Sequence, residues 1–253
     1  MFTSWSVYVC KPLHLIGCSH IPVAEITVRG INPFPCLYRR DSLIVNCLPI
    51  LNQTETINTP LREATEPVTL MVTGPLTTVA VALDAALEIE AKIKQIVWMG
   101  GALNVPGNVE KSIESGQDGS AEWNAYWDAI AVKRVWQTQI DIVMCPLDIT
   151  NNVPVTSELV YKLGKQRKYP ISDLAGQCYA LVIPQDYYFW DVLATAYLAH
   201  PEFYQLREWE TEIITSGVSQ GRTKVQPGGR KILAMDKVDK SSFYDYILQQ
   251  WAR

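Results

Sequence analysis

Three short apolar runs organise the middle of this chain: Val68 to Val72, Ile93 to Met99 and Ile140 to Cys145. Each predicts a short apolar strand, the third of them buried. Between the first two, Leu76 to Ile89 places Val79, Leu83, Ala86 and Leu87 on one face at helical spacing, with Pro75 suited to the first turn. Before the third, Asp128 is placed to cap a helix over Ala129 to Gln137. Helical patterns follow at Ser157–Leu163, Ile171–Leu181 and Phe189–Ala199. Strands at Glu210–Thr215 and Lys231–Met235 then precede a last helix from Ser241 to Trp251. The alternation predicts an α/β fold: an open, mainly parallel sheet with helices on both faces and right-handed crossovers.

The flanking segments carry less pattern. Residues 1–30 hold strand-like pieces such as Val7-Tyr8-Val9 and no clear period. Residues 31–67 are rich in turn formers, among them Asn32-Pro33, Pro35, Pro49, Asn52, Asn58 and Pro60, which is loop chemistry. Residues 102–123 form a long polar, Gly-containing loop, a length usually tied to function or disorder.

Composition narrows the class. Of 253 residues 48% are apolar, enough for a sizeable core and too many for a disordered chain. The net charge is −4, from 22 Lys+Arg against 26 Asp+Glu. The densest basic clusters are short, at Arg39-Arg40 and Lys165 to Lys168, so no nucleic-acid partner is expected. No apolar run is long enough to span a bilayer, and no basic region precedes an apolar stretch at the start. A cytoplasmic protein with no membrane partner is the expectation; a homo-oligomer is allowed.

Candidate chemistry comes next. Cys10, His14, Cys18 and His20 are zinc-competent residue types, but their spacing matches no zinc signature and there is no CxxC pair. Asn52-Gln53-Thr54 is a formal glycosylation sequon. Neither GxxxxGK[ST], GxGxxG nor GxSxG occurs, which argues against nucleotide phosphate cradles and serine hydrolases. In open parallel sheets ligands bind beyond the carboxyl ends of strands. Thr73-Gly74-Pro75, the stretch from Gly100 to Asn124, and Asp148 to Asn152 all fall there. Asn104, Asn108, Glu122 and Asn124 supply the donors and acceptors that a polyhydroxylated ligand presents, flanked by Trp123 and Trp127. The ordinary alternative is solvated loop polars beside core tryptophans. Asp191, in Phe-Trp-Asp-Val-Leu, is costly beside an apolar helix face unless it is paired, binds a cation, or caps that helix.

Taken together, these motifs resemble one family. Val72-Thr73-Gly74-Pro75-Leu76-Thr77, Met99-Gly100-Gly101-Ala102, Gly107-Asn108-Val109, Ala121-Glu122-Trp123-Asn124 and Pro146-Leu147-Asp148-Ile149-Thr150 are similar, in order, to the inosine–uridine preferring nucleoside hydrolases. Trp190-Asp191 and Gly221-Arg222-Thr223 continue the order, and the resemblance runs from about Ile21 to the C-terminus. The loop Asp118 to Asn124 and a Trp before Asp191 look like the purine-preferring branch. The resemblance implies hydrolysis of the N-glycosidic bond of purine ribonucleosides, giving base and ribose, as in purine salvage and nucleoside catabolism. It implies a bound Ca²⁺, with the Thr73 carbonyl and the Asp191 carboxylate as metal ligands. It implies ribose binding by Asn108, Glu122 and Asn124, and stacking of the base on Trp190. The chemistry agrees with oxygen ligation of Ca²⁺, a metal-activated water and an oxocarbenium-like transition state.

One family feature is not found. The N-terminal strand followed by an acidic cluster DxDxxxDD, which supplies the remaining calcium carboxylates and the general base, has no counterpart; the first acidic residue is Glu25 and the first Asp is Asp41. The expectation is therefore a single domain over 1–253 with atypical residues 1–20, no identifiable general base, and weak or absent calcium binding. A catalytically inactive relative that at most binds nucleoside or ribose is the alternative.

Overall fold

The computed structural model describes residues 12–24, 28–33 and 57–253. The Val7–Val9 piece, Cys10 of the Cys/His group, the Arg39-Arg40 pair and the Asn52 sequon lie outside these residues.

Among the described residues six strands form one sheet in the order β1-β2-β3-β6-β4-β5. These are β1 (Val68–Val72), β2 (Ile93–Met99), β3 (Asp141–Cys145), β4 (Tyr204–Ile213), β5 (Thr223–Val225) and β6 (Arg230–Val238). Strands β1, β2, β3 and β6 pair in parallel, while β4 is antiparallel to both β6 and β5. The expected α/β class and mainly parallel sheet are both present. The expected strands at Glu210–Thr215 and Lys231–Met235 prove longer, start earlier, and run antiparallel to each other. Strand β5 carries no pattern of its own, and only its pairing with β4 defines it.

Alternation within the central strands explains the two-sided core. From β2, Ile96 and Trp98 enter one cluster and Val97 and Met99 the other. The first cluster is closed by α2 (Thr77–Ala85) and α4 (Ala129–Trp136), through Val79, Leu83, Val132 and Val135. The second is closed by α6 (Ser157–Lys165), α8 (Asp191–Ala199) and α9 (Lys240–Trp251), through Leu159, Leu163, Leu193, Phe243 and Ile247. Helices on both faces are why these strands read as near-continuous apolar runs. Further helices are α1 (Asn58–Glu63), α3 (Trp123–Trp127), α5 (Leu147–Thr150) and α7 (Pro170–Val182). No helix among the described residues is long and apolar enough to cross a membrane.

Two expected helices change at their ends. The pattern from Leu76 to Ile89 breaks at Ala86, whose φ of −156° is not helical, and continues as a 3₁₀ turn over Leu87–Lys92. Ala86 and Ile89 are both buried, so packing sets the break in the absence of Gly or Pro. Helix α8 begins at Asp191 rather than Phe189, and the residue preceding it, Trp190, gives no side-chain cap.

The cap at Asp128 is as expected and does more than cap. Its Oδ1 accepts from Ala131 N at 2.9 Å, while its Oδ2 accepts from the Thr77 hydroxyl at 2.8 Å. One buried carboxylate thus ties the start of α4 to the start of α2. Asp128→Ala removes a cap worth ~1 kcal/mol and leaves a buried hydroxyl unpaired at ~1 kcal/mol more. A loss of about 2 kcal/mol in urea unfolding is expected, with an unchanged slope against denaturant.

Candidate active site

The parallel register brings the ends of β1, β2 and β3 into line, with Val72 beside Trp98, and Met99 beside Cys145. Thr73, Gly100 and Pro146 therefore leave the sheet along one carboxyl edge. Thr73 is exposed at the end of β1. The turn behind it is pinned by the buried indole of Trp98, whose Nε1 donates to Gly74 O at 2.9 Å.

After β2 the chain enters the long loop through four backbone amides that all meet side chains. Gly101 N donates to Glu122 Oε2 at 2.8 Å and Ala102 N to Thr223 Oγ1 at 2.9 Å. Leu103 N and Asn104 N donate to the two oxygens of Asp148, each at 2.8 Å. Gly101 has a φ of +75°, and a Cβ there would lie 2.2 Å from Met144 Cε, so this position needs glycine.

Glu122 and Asn124 are both buried, at 3% and 6% exposure. Glu122 caps α3, its Oε1 accepting from Asn124 N at 3.0 Å and its Oε2 from Ala125 N at 3.2 Å as well as from Gly101. Asn124 Nδ2 donates to Met99 O at 3.0 Å. Asn108 approaches the same helix, its Oδ1 accepting from Trp123 N at 3.1 Å. The structure thus gathers Asn108, Glu122 and Asn124 around the first turn of α3. Burial pushes the Glu122 carboxyl up to about 7, against the pull of its backbone donors; the Asp191 charge adds a smaller push the same way.

Asp191 shares this end of the sheet. Its field reaches Glu122, Cys145, Tyr179 and Tyr187. Its carboxylate takes no hydrogen bond from the described residues, while its backbone O accepts from the Thr195 hydroxyl. Protein surrounds it enough that burial pushes its carboxyl up to about 6, yet the side chain remains open to solvent. That combination describes a carboxylate lining a recess. It does not act as the helix cap, which was the ordinary reading of its position. Trp190 next to it packs edge-on against Tyr187, ring centres 4.6 Å apart, and its buried Nε1 has no partner among the described residues.

Calcium takes six to eight oxygens. Among the described residues no group of three or more His, Cys, Asp or Glu is placed to hold a metal. Thr73 and Asp191 alone do not complete such a site, so the residues described do not fit the implied Ca²⁺ as a full ligand set. His14, from the Cys/His group, instead faces the Ser19 hydroxyl at 3.3 Å.

Sequence reasoning missed the anchoring roles of Thr223 and Asp148. Their partners lie 121 and about 45 residues away, so no local spacing announces them.

A mainly parallel sheet covered on both faces, with polar residues gathered at its carboxyl edge, is the setting in which α/β proteins bind small ligands. Comparison with known proteins is more specific. Residues 40–245 match the inosine-uridine preferring nucleoside hydrolase family, and the chain belongs to that family. It is 32% identical over 206 residues to the pyrimidine-specific ribonucleoside hydrolase RihA of Klebsiella pneumoniae (strain 342), covering 76% of this chain. It spans 63% of the length of that relative. Among solved structures, the inosine-uridine preferring nucleoside hydrolase from Bacillus anthracis aligns with a TM-score of 0.89 at 36% identity. That alignment covers 98% of this chain and 84% of the other. The purine-preferring ribonucleoside hydrolase from Gardnerella vaginalis shares the fold, with a TM-score of 0.81 at 19% identity over 97% of this chain and 84% of that one.

Proposed function

We propose that this protein hydrolyses the N-glycosidic bond of ribonucleosides at the carboxyl edge of β1–β3. The observation that carries the reading is a solvent-open carboxylate, Asp191, with no hydrogen-bond partner among the described residues, whose charge is felt at Glu122 in the set of Asn108, Glu122 and Asn124. Asn124 Oδ1 and Asn108 Nδ2 take no partner among the described residues, which leaves an acceptor and a donor for ribose hydroxyls. The negative charge of Asp191 suits a ribosyl group that becomes cationic as the base departs. The family implies Ca²⁺ at Asp191 and the Thr73 carbonyl; with the ligand set incomplete, no step is assigned to it.

Base preference rests on Trp190. Its ring, held against Tyr187, offers a flat partner, and a purine presents the larger π-face to stack on it. Purine ribonucleosides such as inosine are the proposed substrates, although the RihA relatives are named pyrimidine-specific. Trp190→Ala is expected to lower kcat/KM for inosine about tenfold, the loss of one aromatic stack, while changing uridine less than threefold. Equal losses for both bases would remove the argument for purines.

A second reading is favoured by one feature of the structure: among the described residues Thr73 and Asp191 stand without the further carboxylates of a metal site. On that reading the site binds nucleoside without cleaving it. Saturable inosine binding by calorimetry with no free base after prolonged incubation supports the second reading; base release supports the first.

A further inference from the structure

We infer that Thr223 is a positioning residue of this site: its hydroxyl fixes the Gly101–Ala102 backbone and thereby the direction in which Glu122 is held. The inference rests on the hydrolase reading for its effect on turnover, but its structural basis stands apart from it.

Thr223 is 1% exposed, at the start of the short outer strand β5. Its Oγ1 accepts from Ala102 N at 2.9 Å and donates to Ala102 O at 2.9 Å. One hydroxyl therefore satisfies both backbone groups of a single residue, as a neighbouring strand would. Ala102 follows Gly101, whose N–H donates to Glu122 Oε2. Gly101 lies so close to Thr223 that a Cβ on it would be 2.6 Å from Oγ1. The 101–102 peptide shares the Gly101 Cα with the 100–101 peptide, so a shift of the first moves the neighbouring Gly101 amide that holds Glu122.

Thr223 is itself held in place from the same side. Gly221, at a φ of +88°, lets the chain run against Tyr126 in α3; a Cβ there would lie 2.5 Å from Tyr126 Cα. Ser219 donates to Asp118, and Asp118 N donates to Val218 O at 2.8 Å. The segment from Val218 to Thr223 is therefore fastened to the loop at Asp118 by two hydrogen bonds and packed against α3 at Tyr126. Thr223 is itself buried and both bonds of its hydroxyl go to Ala102, so it acts through others.

The hydroxyl and the packing of Thr223 separate cleanly by substitution. Val matches the shape and lacks the hydroxyl; Ser keeps the hydroxyl and lacks the methyl. Misplacing a substrate-holding group by a fraction of an ångström to one ångström costs up to about 100-fold in rate. Thr223→Val is expected to lower kcat for inosine about 30-fold with KM changed less than threefold, whereas Thr223→Ser stays within about threefold of wild type. In parallel, hydrogen exchange at the Ala102 amide is expected to speed up at least about tenfold in Thr223→Val and not in Thr223→Ser. If Thr223→Val does not fold, Thr223→Cys, with a weak donor of similar size, takes its place and is expected to behave like Val.

Equal losses in Val and Ser variants, or a Val variant as active as wild type, overturn the inference. A wild-type protein that cleaves no ribonucleoside overturns the hydrolase reading instead. In that case Ala102 exchange alone decides: faster only in Thr223→Val upholds the positioning role, and unchanged exchange refutes it.

Discussion

Asp191→Asn is expected to abolish ribonucleoside cleavage while leaving the protein as stable as wild type or slightly more stable. Most substitutions destabilise, so this pairing of outcomes is diagnostic. The carboxylate takes no hydrogen bond from the described residues and sits where burial raises its carboxyl to about 6. At pH 7.5 it is ionised, and folding holds that charge in surroundings it would not choose. Had the group been sealed from water, the shift would represent ~3 kcal/mol. Its open side screens much of that, leaving a relief of order 1 kcal/mol on neutralisation. A rise in melting temperature of about 2–4 °C follows for a chain of this size. Loss of the charge facing the ribosyl cation is expected to cost about 10³-fold in kcat/KM. Thermal scanning and base release on the same preparation check both halves. A destabilised but active variant would show Asp191 to be structural.

The second large effect is expected at Glu122, and there the balance runs the other way. Glu122→Ala leaves the amides of Gly101, Asn124 and Ala125 without their acceptor in a buried turn. At ~1–3 kcal/mol for each unsatisfied buried group, the loss is ~3–9 kcal/mol before relaxation and water entry. Against it stands relief of a desolvated carboxylate, of order 3 kcal/mol for a carboxyl raised from 4.5 to about 7. The lost hydrogen bonds win, and a net destabilisation of about 2–4 kcal/mol at pH 7.5 is expected. The same numbers fix the sign of the pH dependence. The folded state holds this proton more tightly than the unfolded chain. The associated stability is present in full below pH 4.5 and is lost as the pH rises through about 7. Urea unfolding across pH 4 to 8 is expected to show this decline in wild type and a flatter profile in Glu122→Ala. A wild-type protein that gains stability from pH 4.5 to 7 through this residue contradicts the account.

The parts legible in the sequence are those whose cause is local. Strands β2 and β3 are readable because both faces are covered and most residues are apolar; β1, half-buried along its length at the sheet edge, is readable from its apolar run alone. The Asp128 cap is readable because its acceptor and donor lie three residues apart. The gathering of Asn108, Glu122 and Asn124 at α3 follows from a loop whose ends are close in sequence. The rest depends on contacts across the chain. The break at Ala86 comes from burial of Ala86 and Ile89 against the sheet, not from Gly or Pro. Strand β4 shifts register between Gln205 and Leu206 and then exposes two consecutive residues, Arg207 and Glu208, which breaks its alternation. Thr223 and Asp148 acquire their roles only when β5 and α5 are brought to the loop after β2. Asp191 is intelligible from sequence as an anomaly, a carboxylate beside apolar residues; the structure adds that it neither caps its helix nor pairs with a described residue.

The central claim is tested most directly by incubating the protein with inosine, guanosine, uridine and cytidine, with and without added Ca²⁺, and separating free base from nucleoside by chromatography. The account predicts release of base and an equal amount of reducing sugar, fastest from the purine nucleosides and absent in Asp191→Asn. No base from any of the four, under either condition, with a folded wild-type protein, would contradict it.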